Sequence, residues 1–450
     1  MSTPDPESAR TEEPLIGIGR AAEFFRSFAS LRTARAVFWV CLAVYTIDGA
    51  AYFGILNVLS LYLGDSLHFS DQLKHPAISF MTGTLTLAGA LLGGISDRAG
   101  VRRTLMATIV LSFVGRAFLG GAPFSPSPHM SAWFGLFIIG VAAGVMQPAV
   151  YAGVKQATNA ANATIGFSLL YALMNGGSLI ETYASPFLRD HFRDHKLPGG
   201  ESGEYAGVIW VCGGLTIAYL AIQLLFFPRN EGNPTPTQAA TAKASSWRDH
   251  ALLNPRFQFF IFILLPVRTL FAHQWLTLED YMNRSFSAAV AHRYEWVLSI
   301  NTFVIFIGTP VLAALTRRVH VVTMMIIGTL VTASATFLLV PGPNFYTLIG
   351  YELLFSIGEA LWASRFLEYV ADVAPPDKVG LYMGVAQIPW FLAKTTTGLY
   401  SGYLLAIFCP AKGPQSTGTL WLIYALIAMI TPIGLIMARK WLKAGNLGKG

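Results

Sequence analysis

Charge is what this sequence has least of. Only 12% of its 450 residues are Asp, Glu, Lys or Arg, against about 25% in an ordinary soluble domain. With 54% hydrophobic residues beside it, that scarcity excludes a soluble globule of this length. Cysteine is nearly absent: Cys41, Cys212 and Cys409 all lie in or at the ends of apolar runs. Their spacing excludes a disulfide framework or a cysteine metal centre, and they read as packing residues. No catalytic triad, metal cluster or phosphate loop is visible, so neither an enzyme nor a resident cofactor or metal is expected. A cleavable signal pattern is missing from residues 1–33, where "AAEFFRSFASL" reads as a short amphipathic helix on a membrane surface.

What the chain has in abundance is long apolar runs, each of about 20 residues and so able to cross ~30 Å of hydrocarbon as a helix. Twelve can be counted, at 34–64, 77–96, 104–121, 132–157, 162–188, 206–227, 257–284, 292–316, 321–340, 344–372, 380–408 and 419–438. Between the sixth and seventh lies "PRNEGNPTPTQAATAKASSWRDH", a polar stretch rich in Pro, Thr, Ala and Ser that reads as a linker. The expected fold is an all-α integral membrane protein of twelve transmembrane helices in two six-helix bundles. Its expected parts are an N-terminal segment (1–33), a first bundle (34–227), a linker (228–256), a second bundle (257–438) and a tail (439–450).

The basic residues orient it. With the N-terminus in the cytoplasm, 20 of the 31 Lys and Arg fall in cytoplasmic segments or at the span ends beside them, Arg35 and Lys155, as the positive-inside rule requires. The net charge of +7 therefore reports topology and not nucleic-acid binding. The location expected is the cell inner (plasma) membrane, with both termini cytoplasmic.

Polar residues inside the spans are unevenly placed. Asp48 in the first span, Gln147 in the fourth, Asn175 in the fifth, Arg268, His273 and Gln274 in the seventh, Asn301 in the eighth, Glu359 in the tenth and Lys394 in the eleventh sit near mid-depth. Lipid offers such groups no partner, so one shared layer implies a hydrated cavity between the bundles, where a transporter holds its substrate. A lone Asn or Gln serves equally well as a helix–helix hydrogen bond. Arg365 and Glu368 are placed to reach the membrane interface. Arg116 lies toward the outer end of the third span.

The turn "GGISDRAGVRR", Gly93 to Arg103, resembles the G-x-x-x-D-R-x-G-x-R-R signature of the major facilitator superfamily, at its place between spans two and three. The resemblance implies that fold and a conformational latch formed by Gly93, Asp97, Arg98, Arg102 and Arg103. Finer likeness is to the proton-dependent oligopeptide transporters. "YFGILNVLSLYL" is similar to that family's "YYGMRAILVLYL", "GVMQPAVYAGVKQ" to "GxxKPxxxxxxxxQ", "MNGGSLI" to "INLGSLL" and "LSINTFVIFIGTP" to "xSxNPxFxxxxxP". "GEALWASRFLEYVADVAP" keeps the family's G-E and A-P separation, followed by "MG" at Met383 and Gly384. Departures are specific: the family's E-x-x-E-R falls on Tyr45, Asp48 and Gly49, its next helix-one arginine on Leu56, and its helix-four lysine on Gln147.

The resemblance implies an alternating-access secondary transporter, a proton symporter for an amine-bearing or peptide-like solute, with Glu359 gripping the amine. Arg268 and Lys394 could replace the missing cations at the carboxylate end. The substrate set expected is Glu359, Asn175, Asn301, Gln147, Tyr52, Arg268, Gln274, Lys394 and Trp362, with Asp48 and Glu359 coupling protons and Glu352 an outer waiting site on the Glu359 face. Glu359 paired structurally with Lys394 is an alternative. Other readings are a proton-driven exporter of amphiphilic compounds and a non-transporting membrane sensor. The partners expected are a small-molecule substrate, protons and the bilayer, with no nucleic acid and a monomeric chain.

Overall fold

The computed structural model describes residues 25, 28–159, 162–198, 200–229, 231, 251–291 and 293–444. Most of the amphipathic segment, most of the linker and the end of the tail lie outside the described residues.

The helices group into twelve spans. The first bundle holds Ala36–Leu61, Asp71–Leu92, Val101–Gly120, Pro128–Ala157, Ala163–Phe192 and Glu204–Phe226. In the second, the seventh span is broken into Pro255–Phe262, Leu265–Leu276 and Leu278–Ser285. Tyr294–Leu315, Val321–Ala335 and Phe345–Val373 follow; the eleventh span is Val379–Val385 then Ile388–Phe408, and the twelfth is Thr417–Met437. The breaks have local causes. Pro266 and Pro389 each sit in the first turn of a new helix, where a missing N–H costs nothing. At the first break the Thr431 hydroxyl donates to the Ile263 carbonyl at 2.7 Å and accepts from the Val267 amide at 3.1 Å. Irregular backbone inside a membrane is tolerated only when satisfied in this way.

Nine helical segments among the described residues are long and apolar enough to cross a membrane. The spans that fall short are the second, tenth and eleventh, and the reason is chemical. The second opens on "DQLKH", the tenth carries Glu352, Glu359, Arg365 and Glu368, and the eleventh carries Lys394 followed by three threonines. These are spans at the junction of the bundles: the fifth packs on the eighth and tenth, and the start of the eleventh on the second and fourth. Sequence polarity thus marks the faces that lipid does not cover.

The bundles meet backbone to backbone at the end that carries the 93–103 turn, called the turn end below. A Cβ added to Gly93 would stand 2.9 Å from the Gly380 carbonyl oxygen and 3.2 Å from the Gly384 Cα, so glycine there permits the contact of spans two and eleven. Gly100, with φ 89°, turns the chain from the short helix Ile95–Ala99 into span three.

Candidate functional site between the bundles

Glu359 lies mid-way along the tenth span and is 5% exposed. The Tyr171 hydroxyl of span five donates to its Oε1 at 2.5 Å, and the Asn301 amide of span eight donates to its Oε2 at 2.8 Å. One donor comes from each bundle, so the carboxylate bridges them. Asn301 also donates to the Ser356 hydroxyl at 3.1 Å. Asn175 donates to the Tyr171 carbonyl at 2.9 Å, and so supports the helix turn that presents Tyr171.

Arg268, 4% exposed, stands on the seventh span just after its first break. Its guanidinium carbon is 4.4 Å from the Phe366 ring centre, 5.7 Å from that of Trp390 and 6.0 Å from that of Trp362. Nε and Nη1 have no hydrogen-bond partner. Tyr151 and Tyr171 lie within electrostatic reach of it. A cation held by aromatic faces, with donors left over and no acidic partner among the described residues, is equipped to receive an anion. Lys394 lies over Trp390, 5.3 Å from the ring centre.

The expected single layer is divided. Gln147 donates to the Tyr45 hydroxyl at 2.8 Å, and that hydroxyl bonds Tyr151 at 2.9 Å, extending polar groups from the first bundle toward Arg268. Asp48 faces away from the cavity. It pairs with Arg116 of span three at 2.7 Å and accepts from the Tyr219 hydroxyl of span six at 2.9 Å, while Arg116 also donates to Thr216 and, at 2.8 Å, to Tyr219. Tyr52, one turn beyond Asp48, lies within electrostatic reach of Asp48 and Tyr45. Arg116, toward the end of span three away from the 93–103 turn, is therefore a buried partner of Asp48. Gln274 turns to Tyr351 and Glu352, both at 3.4 Å, and Glu352 is fully buried inside the second bundle, which excludes it as an outer waiting site in this conformation. His273 is held by Thr277 at 2.8 Å and Tyr400 at 3.1 Å. Trp362 walls Arg268.

At the turn end, Asp97 accepts from two backbone amides across the interface, Gly380 at 2.8 Å and Leu381 at 3.0 Å. Arg98 and Arg103 are exposed and Arg102 is half-buried. Lys155 pairs with Asp372, and Thr164 donates to Glu368 at 2.6 Å while accepting from Arg365 at 3.0 Å; Arg365 and Glu368 pair at 2.9 Å. Arg365 and Glu368 are thus held against Thr164 of span five and do not snorkel. The turn end is shut. Of these partners, Tyr171 was discoverable from sequence, since it stands one turn before Asn175 on the same face; the Arg116, Phe366 and Trp390 contacts depend on packing.

Burial pushes the Asp97 carboxyl up to about 7, against the pull of the Gly380 and Leu381 amides. Opening returns it to water and toward its ordinary value of 3.8. Closing then takes up a proton between about pH 4 and 7, so acidification in that window favours the shut turn end and rising pH favours opening. Asp97→Asn removes this dependence. It also turns an amide NH2 toward a backbone donor, loses about 1.5 to 3 kcal/mol of charge-assisted bonding, and should slow turnover more than it changes affinity. The check is thiol labelling of Ser96→Cys over a pH series: with Asp97 intact, labelling rises with pH more steeply than in the Asp97→Asn background. Equal slopes would count against the latch.

Comparison with known proteins fits this architecture. The model of the Major Facilitator Superfamily matches residues 38–291 and 268–446. The chain belongs to the Major Facilitator Superfamily. It is 21% identical over 427 residues to dipeptide and tripeptide permease A of Chromobacterium violaceum, across 82% of this chain and 84% of that protein. Among solved structures, the E. coli fucose:proton symporter FucP superposes with TM-score 0.69 at 14% identity, covering 90% of this chain and 99% of the other. A POT family transporter in complex with a thioalcohol-conjugated peptide gives 0.62 at 15% identity, covering 90% and 96%. Likeness at this identity shows the shared fold. As a Major Facilitator Superfamily member the chain is a multi-pass membrane transporter for a small molecule and not an enzyme.

Proposed function

We propose that this transporter takes up a small amine-bearing or peptide-like solute together with protons, by rocking its two bundles around the site between them. The observation that carries the reading is the pair of opposite charges, Glu359 and Arg268, that flank Tyr171 without neutralising each other. A solute with an amine and an acid satisfies both: the amine displaces or joins the donors on Glu359, and the acid takes the free guanidinium donors. Asn175, Asn301, Gln147 and Lys394 complete the polar wall, and Trp362 and Trp390 the apolar one. Asp48 and Glu359 are the proton-coupling carboxylates of this proposal, and the working unit is a monomer. The likeness to a dipeptide and tripeptide permease and to a proton symporter supports the same direction.

The aromatic cage favours one alternative, export of amphiphilic compounds. A thermal-shift screen of the purified protein against amino acids, peptides, amines, organic acids, nucleosides and sugars separates them, because ligands of the folded state raise its apparent stability. Hits carrying both an amine and an acid, lost in both Glu359→Gln and Arg268→Gln, support the proposal. Hits limited to lipophilic cations favour the exporter.

The inner membrane is the location proposed, with the linker and both termini cytoplasmic, because most Lys and Arg lie on that side. Cysteines placed at Ala239 and Asn446 are expected to resist membrane-impermeant reagents in intact cells. Ready labelling of either would reverse the orientation.

A further inference from the structure

Four carboxylates are buried within the spans, and three have close partners; Glu181 accepts from the Asn57 amide at 2.6 Å. Asp48 has Arg116 and Tyr219; Glu359 has Tyr171 and Asn301. Glu352 has neither kind. It is 0% exposed, its Oε2 accepts one long hydrogen bond of 3.4 Å from Gln274, and its Oε1 has no partner. The Gln274 Oε1 beside it also lacks a donor. Among the described residues no cation pairs with Glu352.

The neighbours supply no hidden compensation. On its own helix the titratable groups acting on it are Tyr351 and Glu359, the second adding repulsion. Gln274 is the polar group from the seventh span, since His273 next to it is turned to Thr277 and Tyr400. The ninth span, packed along this helix, has no charged residue, and Trp421 of the twelfth packs on Tyr351 with ring centres 5.9 Å apart. An isolated carboxylate in such a place costs far more than a neutral acid. Unpaired buried acceptors are rare enough to require a cause, and here one proton supplies the missing donor.

We propose that Glu352 is a proton-holding site of the transport cycle, occupied as a neutral carboxylic acid while the turn end is shut; this rests on the proton-coupled reading above. A proton from water on the accessible side binds a carboxylate oxygen and cancels its charge. It leaves to water when movement of the tenth span exposes the group. Glu352 is tied to the substrate site: the Ser356 hydroxyl donates to its carbonyl at 2.6 Å, and Asn301 joins Ser356 to Glu359. A shift of the helix at Glu359 is therefore transmitted to Glu352 two turns away.

The test is infrared spectroscopy of full-length protein in lipid nanodiscs, reading the carboxylic-acid C=O band, with trialanine uptake into proteoliposomes as a second arm. Wild type should show an acid band that bleaches reversibly from mildly acidic to mildly alkaline pH. Glu352→Gln should remove one component of it, a component that Glu359→Gln and Asp97→Asn leave in place. Gln274→Leu keeps the carboxyl and should shift that component, which assigns it to Glu352. A band unchanged in Glu352→Gln, or one that persists at every pH, overturns the proposal. Wild type that accumulates trialanine down an inward proton gradient should retain only exchange in Glu352→Gln. Undiminished accumulation by that variant overturns the proposal and leaves the functional reading standing. Absence of trialanine uptake by wild type counts against the peptide-like reading, and the infrared band still decides the role of Glu352.

Discussion

Arg116→Met is expected to destabilise the protein by about 3 to 5 kcal/mol, because it leaves Asp48 buried without its cation. Arg116 and Asp48 are 2% and 5% exposed, and the pair is closed by Tyr219 and Thr216. Removing both charges in Asp48→Asn with Arg116→Met should recover most of the loss, since the double change also removes two desolvation costs. Melting of the purified variants, followed by loss of the monodisperse chromatographic peak after heating, measures both. Arg116→Met as stable as wild type would show that the pair does not hold spans one, three and six together. If the double variant folds and still accumulates solute with protons, Asp48 is dispensable for coupling.

Glu359→Gln should weaken binding of an amine-bearing solute roughly tenfold to a hundredfold, the equivalent of about 1.5 to 3 kcal/mol for a charge-assisted contact. The substitution keeps the size of the side chain. It also exchanges one acceptor oxygen for an NH2 that faces either the Tyr171 hydroxyl or the Asn301 amide, and Tyr171 can rotate its proton away more readily than Asn301 can. Neutral analogues should lose much less. Titration calorimetry with a zwitterion found in the stability screen, set against its N-acetylated form, separates the charge from the rest. Equal losses for both would mean that Glu359 shapes the site without reading the amine.

Much of the fold was legible because membrane insertion is a strong constraint. The helical spans and the turn at Gly93–Arg103 stand where the sequence places them, since a lipid-exposed span must satisfy its backbone internally. The site was legible in part. Glu359, Asn301 and Arg268 came out of depth and resemblance alone. Depth does not determine facing, however. Asp48 lies at the depth of the cavity but turns toward Arg116, and Gln274 turns toward Glu352 inside its own bundle. The partners of Asp97 were hidden for another reason: they are the backbone amides of Gly380 and Leu381, which leave no side-chain signature.

The most direct measurement of the central claim is movement of solute in proteoliposomes. The zwitterion that most stabilises the purified protein is supplied outside, with an inward proton gradient and a pH dye inside. The account predicts accumulation above the outside concentration, with protons entering alongside, and loss of both when the gradient is collapsed. A solute that binds, depends on Glu359 and Arg268, and yet never crosses would contradict it and leave a membrane sensor built on a transporter fold.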